Sequence, residues 1–577
     1  MYLAGMGPCD DPLTVGIDVG SHSVRAGVFT FSGKMLNYAA HEINSYSPKL
    51  GYYQQSSKEI WNAVCVAVKN LLDAPGFSSN RARVRGIGFD ATCSMAIIPH
   101  EKAEVFDLNT LSTVSEVEND FVQDIIMWMD HRATEEADAI NKHSSSEKTL
   151  TYVGKHISPE MQTPKLIWLT KHVNQAQWQR IEHLFDLPDY LTWKATGKEA
   201  RNLCSLVCKW GLLPNAESFA WDSAFVEDVL QLKPEDMQKI CDTFQDPGKF
   251  LGELSVNAKA QMGFPEDSCI RVGSGIIDAH AGCLGSISAR LNIEGRPDMP
   301  ISISRRLVMV CGTSSCHLTV SPEPSFPTGV WGPYKSVVLP GFWTLEGGQS
   351  ASGVLLMHVL STHPAFSDVQ LKAQELGLSP QKYLEDVLDC EAKSRSVPGH
   401  ELTTHLHVYP DFHGNRAPHA DPSMKGMICG LTLSSSEVDL ARLYLAAVQA
   451  LAYSTKSIVE AMILGGHDSF DTVVMCGGLT QGSLFIQTHA DVLGVPVIVP
   501  GWCEVNFSPV LLGAAMLGAR ASDPVKELQT VMRDMAPEAK VFHPNFDSQT
   551  FHERKYSVFS EMYKNQILYR NIMKNEE

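Results

Sequence analysis

Apolar positions along this chain follow two different periods. From Thr14 to Phe29, TVGIDVGSHSVRAGVF, two apolar runs flank a polar bend, the pattern of a β-hairpin. Further on the period becomes helical. Ile60, Val64, Ala67, Val68 and Leu71 recur on one face behind Ser56 and Glu59, a capping-box pair. VRGIGFDATCSMAII, from Val84, reads as one buried strand interrupted by polar residues. A second long helix is expected behind Ser434 and Glu437. It runs through Leu440, Leu443, Tyr444, Ala447 and Leu451 and stops at Gly465-Gly466. The stretch from Thr472 to Val499 reads as strand, Gly-Gly turn, helix and strand. This alternation favours an α/β fold.

A chain of 577 residues is too long for one core, so two large domains are expected. The segment SISARLNIEGRPDMPISISRR, ending at Arg306, holds two prolines and a Gly-Arg-Pro turn and marks a junction. An internal repeat spans it. LTVGIDVGSHSVRAGV lies over RLVMVCGTSSCHLTV, with Gly20 on Gly312, Ser21 on Thr313 and Ser23 on Ser315. Such a repeat implies a duplicated domain. The expected organisation is a tail over 1–12, an N-terminal domain over 13–286, a junction over 287–306, a C-terminal domain over 307–522 and a helical extension over 523–577. The acidic, Ser/Thr-rich stretch Glu101 to Asp120 reads as a surface excursion.

Charge narrows the function classes. A formal charge of −18 excludes broad nucleic-acid binding, which needs a basic surface. No apolar run approaches the roughly 18 residues that span a bilayer. The opening MYLAGMGPCDDP lacks a secretory pattern, and the 14 cysteines lack framework spacing. Reduced thiols in a cytoplasmic protein are expected.

The repeated bends are rich in glycine and hydroxyls, and such bends form nests for anions, phosphate above all. An acid beside a phosphate makes sense if it holds hydrated Mg²⁺, a role for Asp18, with Arg25 as a further phosphate contact. A turn cap and a solvated charge account for the same two residues. GSGIIDAHAGCLG, from Gly273, places Asp278 at the start of a small-residue helix. It reads as a general base or as a plain N-cap. Gly477 and Gly478 let backbone approach a ligand at a helix N-terminus, or simply make a tight turn. Cys204, Cys208, Cys311, Cys316 and His317 do not match zinc spacings and read as core thiols. Neither His280 beside Asp278 nor the pair Asp130-His131 makes a catalytic triad.

Together these segments resemble the FGGY carbohydrate kinases, within the superfamily of sugar kinases, heat-shock chaperones and actin. The resemblance runs from Thr14 to Ala521 and includes MCGGLTQGSLFIQTHADVLGVPV and LLGAAMLGA. The strings GFDATCS, WMDHRA, FDLPDYLTWKATG, CSLVCKW, WGPY, EGGQSASG and DFHGNRAP are similar to the ribulokinase-type branch. The resemblance implies two duplicated actin-like (ribonuclease H-like) ATPase domains with a cleft between them. It implies Asp278 as catalytic base and a sugar site of Asp90, Cys93, Asp130, Lys209, Glu346 and Asp278. ATP phosphates would lie on Gly20, Ser21, Arg25, Gly312 and Thr313, the nucleotide on Gly477, Gly478 and Gln481, and Mg²⁺ beside Asp18. The expected partners are ATP and a small pentulose, with neither nucleic acid nor membrane; a homodimer is an admissible assembly. The implied reaction is phosphorylation of D-ribulose at its terminal hydroxyl. L-ribulose, ribitol, xylulose, a sugar sensor and an ATP-switched binding protein stay open. Close relatives carry Asn where this chain has Gly482, so that nucleotide contact is either lost or supplied by Gln481.

Overall fold

The computed structural model describes residues 11–118, 120–215, 218–291, 302–502, 504 and 506–574. The tail expected over 1–12 falls outside these residues except for 11 and 12, and so does the middle of the junction expected over 287–306.

The opening hairpin forms as its pattern demands. Strands β1 (Leu13–Val19) and β2 (Ser23–Thr30) pair antiparallel with Val19 opposite Val24, and β1 is buried throughout. Strand β3 (Met35–Glu42) extends the meander. Helix α1 (Ser57–Asp73) begins where Ser56 accepts the Glu59 N–H, and it leads back to β4 (Val84–Ala91), parallel to β1. The run that reads as one strand from Val84 divides here. β4 ends at Ala91, a turn closes between Thr92 and Ser94, and Met95–Pro99 joins a separate sheet. Between the apolar halves the Thr92 and Ser94 hydroxyls bond each other at 3.0 Å as the chain leaves the first sheet. Strands β5 (Phe250–Glu253), β6 (Arg271–Gly273) and β7 (Ile276–Ile277) complete that first sheet, in the order β5-β6-β4-β1-β2-β3 with β7 also on β4.

The second sheet contains β8 (Arg290–Leu291), β9 (Arg306–Cys311), β10 (Ser315–Leu318), β11 (Trp331–Lys335), β12 (Trp343–Gln349), β13 (Thr472–Cys476), β14 (Val497–Pro500) and β15 (Glu538–Phe542). Its order is β8-β15-β14-β13-β9-β10-β12-β11. The frame β3-β2-β1-β4-β6 therefore recurs as β12-β10-β9-β13-β14, an antiparallel meander followed by parallel strands in both. The repeat is one of topology as well as of sequence.

The structure amends several expectations. The second bend holds only Gly312, Thr313 and Ser314, because Cys311 pairs with Ser315. Ser315 thus occupies the place of Val24, and its alignment with Ser23 is one residue out. The long helix (Glu437–Leu464) is capped by Ser436, not Ser434, and ends at Gly465 as expected. The stretch 523–577 is not wholly helical. It contributes β15, antiparallel to β14, before the helix Gln549–Met573. The segment from Glu101 holds a hairpin, Glu104–Asp107 with Ser112–Ser115.

Three helices position the site. They are α2 (Leu203–Lys209), α3 (Asp278–Ser286) and α6, the helix Pro509–Ser522, which follows α4 (Glu437–Leu464) and α5 (Ser483–Leu493). α3 follows the first sheet but leans on the second, with Gly282 against Val310. α6 comes from the second half but lies on β1 and β4. A Cβ at Gly16 would overlap the Leu511 carbonyl oxygen, and one at Gly88 the Ala514 carbonyl oxygen. Where the helices cross, a Cβ at Gly285 would overlap Pro509 and one at Gly513 would overlap Ala281. Only glycine permits these backbone-to-backbone contacts.

Gly88→Ala and Gly285→Ala are therefore expected to lower stability by about 1–3 kcal/mol each in urea unfolding. Gly399→Ala, with no atom within 4 Å of the added carbon, is expected to stay within about 0.5 kcal/mol of the parent.

Candidate active site

A cavity of about 860 Å³ lies between the two sheets. Ser21 and Arg25 of the first hairpin face Gly312, Thr313 and Ser314 of the second across it. The amides of the two glycines are committed to their own turns: the Gly20 N–H donates to Ser23 O at 3.0 Å and the Gly312 N–H to Ser314 O at 2.8 Å. Gly20 itself does not line the cavity. Gly477, Gly478, Thr480 and Gln481 form another wall. Gly477 has φ 99°, and a Cβ there would overlap the Cys311 carbonyl, so the turn after β13 can sit against β9 only as glycine. Gln481 reaches the cavity, whereas Gly482 heads α5, where an added Cβ would lie 3.4 Å from Glu385 Oε1.

The sheet register brings three acids together. Asp18 on β1 stands opposite Asp90 on β4, and Ile276 on β7 is also opposite Asp90, two residues before Asp278. Arg25, opposite Asp18 on β2, forms an ion pair with it. Asp278 occupies the first turn of α3, where its Oδ1 accepts the Ala279 N–H at 2.7 Å. Burial, and then the Asp18 charge, push the Asp278 carboxyl up to about 6. Burial followed by the charges of Asp18 and Asp278 raises Asp90 well above the usual carboxylate range. Burial raises Asp18 too, against the pull of Arg25. Three clustered carboxyls thus meet one guanidinium, Asp278 being the half-buried one. Asp278 lines the cavity; Asp18 and Asp90 lie fully buried behind it.

Around Lys209 the charge is balanced. Lys209, ending α2, lies 3.5 Å from Glu346 on β12, and both side chains are buried. Burial opposes both charges, yet each holds the other ionised: Lys209 stands well above its ordinary value and Glu346 below. The Lys209 ammonium also sits 4.5 Å over the Trp331 ring. Beside it Arg416 pairs with Glu160 at 3.0 Å and stacks over Trp331 and Trp128. Trp128 Nε1–H donates to Ser21 Oγ at 3.0 Å, tying this region to the first bend.

Comparison with known proteins accounts for this arrangement. Residues 13–285 match the FGGY family of carbohydrate kinases, N-terminal domain, and residues 307–522 match its C-terminal domain. The chain belongs to the FGGY family of carbohydrate kinases. It is 42% identical to an FGGY carbohydrate kinase domain-containing protein of Homo sapiens, over 97% of this chain and 98% of that one. It is 39% identical to a D-ribulokinase of Saccharomyces cerevisiae, over 96% of this chain and 77% of the relative. Ligand-bound xylulose kinase from Lactobacillus acidophilus superposes with a TM-score of 0.73 at 18% identity, over 96% and 98% of the two chains. Plasmodium falciparum glycerol kinase with ADP gives 0.70 at 15%, over 96% and 98%. The two structural likenesses are ones of fold: the duplicated actin-like ATPase architecture. This FGGY chain is a carbohydrate kinase.

The structure gathers most of the expected site residues around the kinase cavity and sets others apart. Cys93, Lys209, Glu346 and Asp278 line one region of it. Asp130 does not. Its two oxygens accept both Arg132 side-chain N–H groups at 2.8 Å and the Tyr53 N–H, so the carboxylate is used within the wall. Trp128, Trp331 and Arg416 lie within strings that point to the family, yet sequence reasoning gave them no role. Glu160 carried no signal at all; only the folded chain places it opposite Arg416.

The raised Asp278 carboxyl has a consequence for stability. Its folded value of about 6 exceeds 3.8, so ionisation weakens the folded state as pH rises through that window. Asp278→Asn removes the penalty. At pH ~7.5 the variant is expected to be more stable than the parent by on the order of 2–3 kcal/mol, with the gap closing near pH ~4, as read from urea unfolding at both pH values.

Proposed function

We propose that this kinase transfers the γ-phosphoryl group of ATP to the terminal C5 hydroxyl of a ketopentose, with D-ribulose as substrate and the cytoplasm as its place of work. The observation that carries the reading is the position of Asp278. Its carboxylate heads α3 between the two hydroxyl-rich bends on one side and the Lys209–Glu346 pair on the other. The D-ribulokinase relative, 39% identical, supports the choice of sugar. The cysteines among the described residues are free, as in a reducing compartment, and no helix among those residues is long and apolar enough to cross a membrane.

In this reading the sugar lies against Cys93, Lys209 and Glu346, with Arg416 and the two tryptophans closing the wall. Lys209 and Glu346 offer a donor and an acceptor to adjacent hydroxyls, which suits a polyol. Asp278 accepts the proton of the attacking hydroxyl, and that oxygen displaces ADP in line. The turns consume the Gly20 and Gly312 amides, so the phosphate donors are the bend groups of Ser21, Thr313 and Ser314 together with Arg25. Gly477, Gly478 and Gln481 carry the nucleotide. The acid cluster fits Mg²⁺: Asp18 Oδ2 is paired with Arg25, while Asp18 Oδ1 and both Asp90 oxygens have no hydrogen-bond donor among the described residues. Asp18, backed by Asp90, would hold the hydrated ion, whose charge would neutralise phosphate oxygens. Asp90 and Asp130 serve from within the wall, Asp90 as the buried acid opposite Asp18 and Asp130 by fixing Arg132.

A coupled ADP-release assay over a panel of ketopentoses and pentitols tests the reading. D-ribulose is expected to give the highest kcat/KM, and Asp278→Ala to lose about 10³-fold in kcat while still binding ATP. Parent activity should fall below about pH 6, as Asp278 takes up its proton. Near-parent turnover by Asp278→Ala would sink the assignment, and preference for another sugar would sink the choice of D-ribulose. Lys209→Met, which strands Glu346 without its partner, is expected to raise the sugar KM at least ~10-fold and leave the KM for ATP nearly unchanged.

A further inference from the structure

Behind the sugar end of the cavity is a cluster that phosphoryl transfer does not use. Cys204 and Cys208 are one helical turn apart on α2, so their thiols share a face. That face meets His280 on α3. The two sulfurs and a ring nitrogen of His280 all lie within 4.8 Å of one another, and Cys208 Sγ is 3.5 Å from His280 Nε2. All three side chains are buried, and none lines the cavity. His280 Nδ1 has no hydrogen-bond partner although it is fully buried. A carboxylate stands within reach as well, with Glu346 Oε2 3.9 Å from His280 Nε2.

We infer that Cys204, Cys208 and His280 form a site for a thiophilic divalent cation of the Zn²⁺ class, and, resting on the sugar site proposed above, that filling it disables that site. Two thiolates, one imidazole and a carboxylate make a common zinc donor set. Tetrahedral Zn²⁺ places its sulfur and nitrogen ligands about 3.3–3.8 Å apart, so a small contraction of the present cluster suffices. Binding releases two thiol protons to solvent and involves no redox step. Burial lowers the His280 imidazole to about 4, so it is neutral and can donate its lone pair. The coupling to function is geometric. Glu346 is shared between His280 and Lys209. A cation on His280 draws Glu346 away from Lys209, and ligation of Cys208 pulls on the residue adjacent to Lys209 in α2. The spacing C-x3-C gives no hint of this in the sequence, because the third donor comes from a different helix.

Cobalt(II), which reports thiolate ligation by charge-transfer absorption, tests the site without reference to any sugar. The purified full-length protein is expected to bind one Co²⁺ with that absorption, and a chelator should remove it. The double variant Cys204→Ser/Cys208→Ser should lose the absorption and keep phosphoryl transfer, and His280→Gln should weaken Co²⁺ binding at least ~10-fold. Zn²⁺ should suppress phosphorylation in the parent at least ~10-fold more strongly than in the double variant, with sugar binding, measured by calorimetry, falling in step. Absence of thiolate absorption in the parent, or its persistence in the double variant, would overturn the site. Thiolate absorption with undiminished sugar binding under Zn²⁺ would overturn the coupling. Cys208→Ala alone, with circular dichroism as the check on folding, gives the same reading should the double variant fail to fold.

Discussion

The close crossing of α3 and α6 is the constraint on which the remaining geometry rests. Each helix belongs to one half of the chain by order and to the other by packing. Glycines at 16, 88, 285 and 513 bring backbone against backbone, leaving no side chain at the contact that could adjust. A tightly packed interface of this kind transmits position instead of absorbing it. The first turn of α3 is therefore held at a fixed place relative to both bends. Asp278 owes its location to hydrogen-sized gaps several residues away.

That location also explains the electrostatics. Register pairing sets Asp18 beside Asp90, and β7 delivers Asp278 to the same corner. Arg25, and for Asp278 also Lys209, offset them only in part. The excess negative charge is poorly solvated, which raises all three carboxyls, as the proposed role of Asp278 as base requires. The region around Lys209 is organised in the opposite way. Lys209 and Glu346 neutralise each other under burial, and the aromatic walls add apolar surface. One cavity thus combines an acid-rich part with a charge-balanced part, the combination that the proposed binding of a metal and a polyol calls for.

The two halves meet at that balanced part through side chains. Lys209 with Glu346 and Glu160 with Arg416 each pair a residue from before the junction with one from after it. The glycine crossing joins the halves by backbone, whereas these contacts are long polar side chains that can part. Opening and closing of the cleft would break and remake ion pairs while the crossing stays packed. His280 ties the two regions together, since it lies on α3 and faces Glu346.

Much of the architecture was legible from local pattern. Period-two runs marked β1, β2 and β13, Ser56 marked the start of α1, and the recurrence of Gly-hydroxyl bends pointed to duplication. Asp278, Lys209 and Glu346 could be named because family strings surround them. Local pattern failed where distant segments decide. Ser434 resembles a cap as well as Ser436 does, and only the backbone conformation separates them. Asp130 reads like a sugar contact until Arg132 and Tyr53 occupy its oxygens. The amides of Gly20 and Gly312 look available until their turns close on them. Glu160 and His280 acquire partners from elements far away in the chain. By itself the sequence determined the α/β class, the duplication and the chemical types lining the cleft, because these follow from periodicity and from short motifs. Tertiary structure alone decided which polar atoms remain free to meet a ligand, because that depends on whether a partner from elsewhere in the fold arrives first.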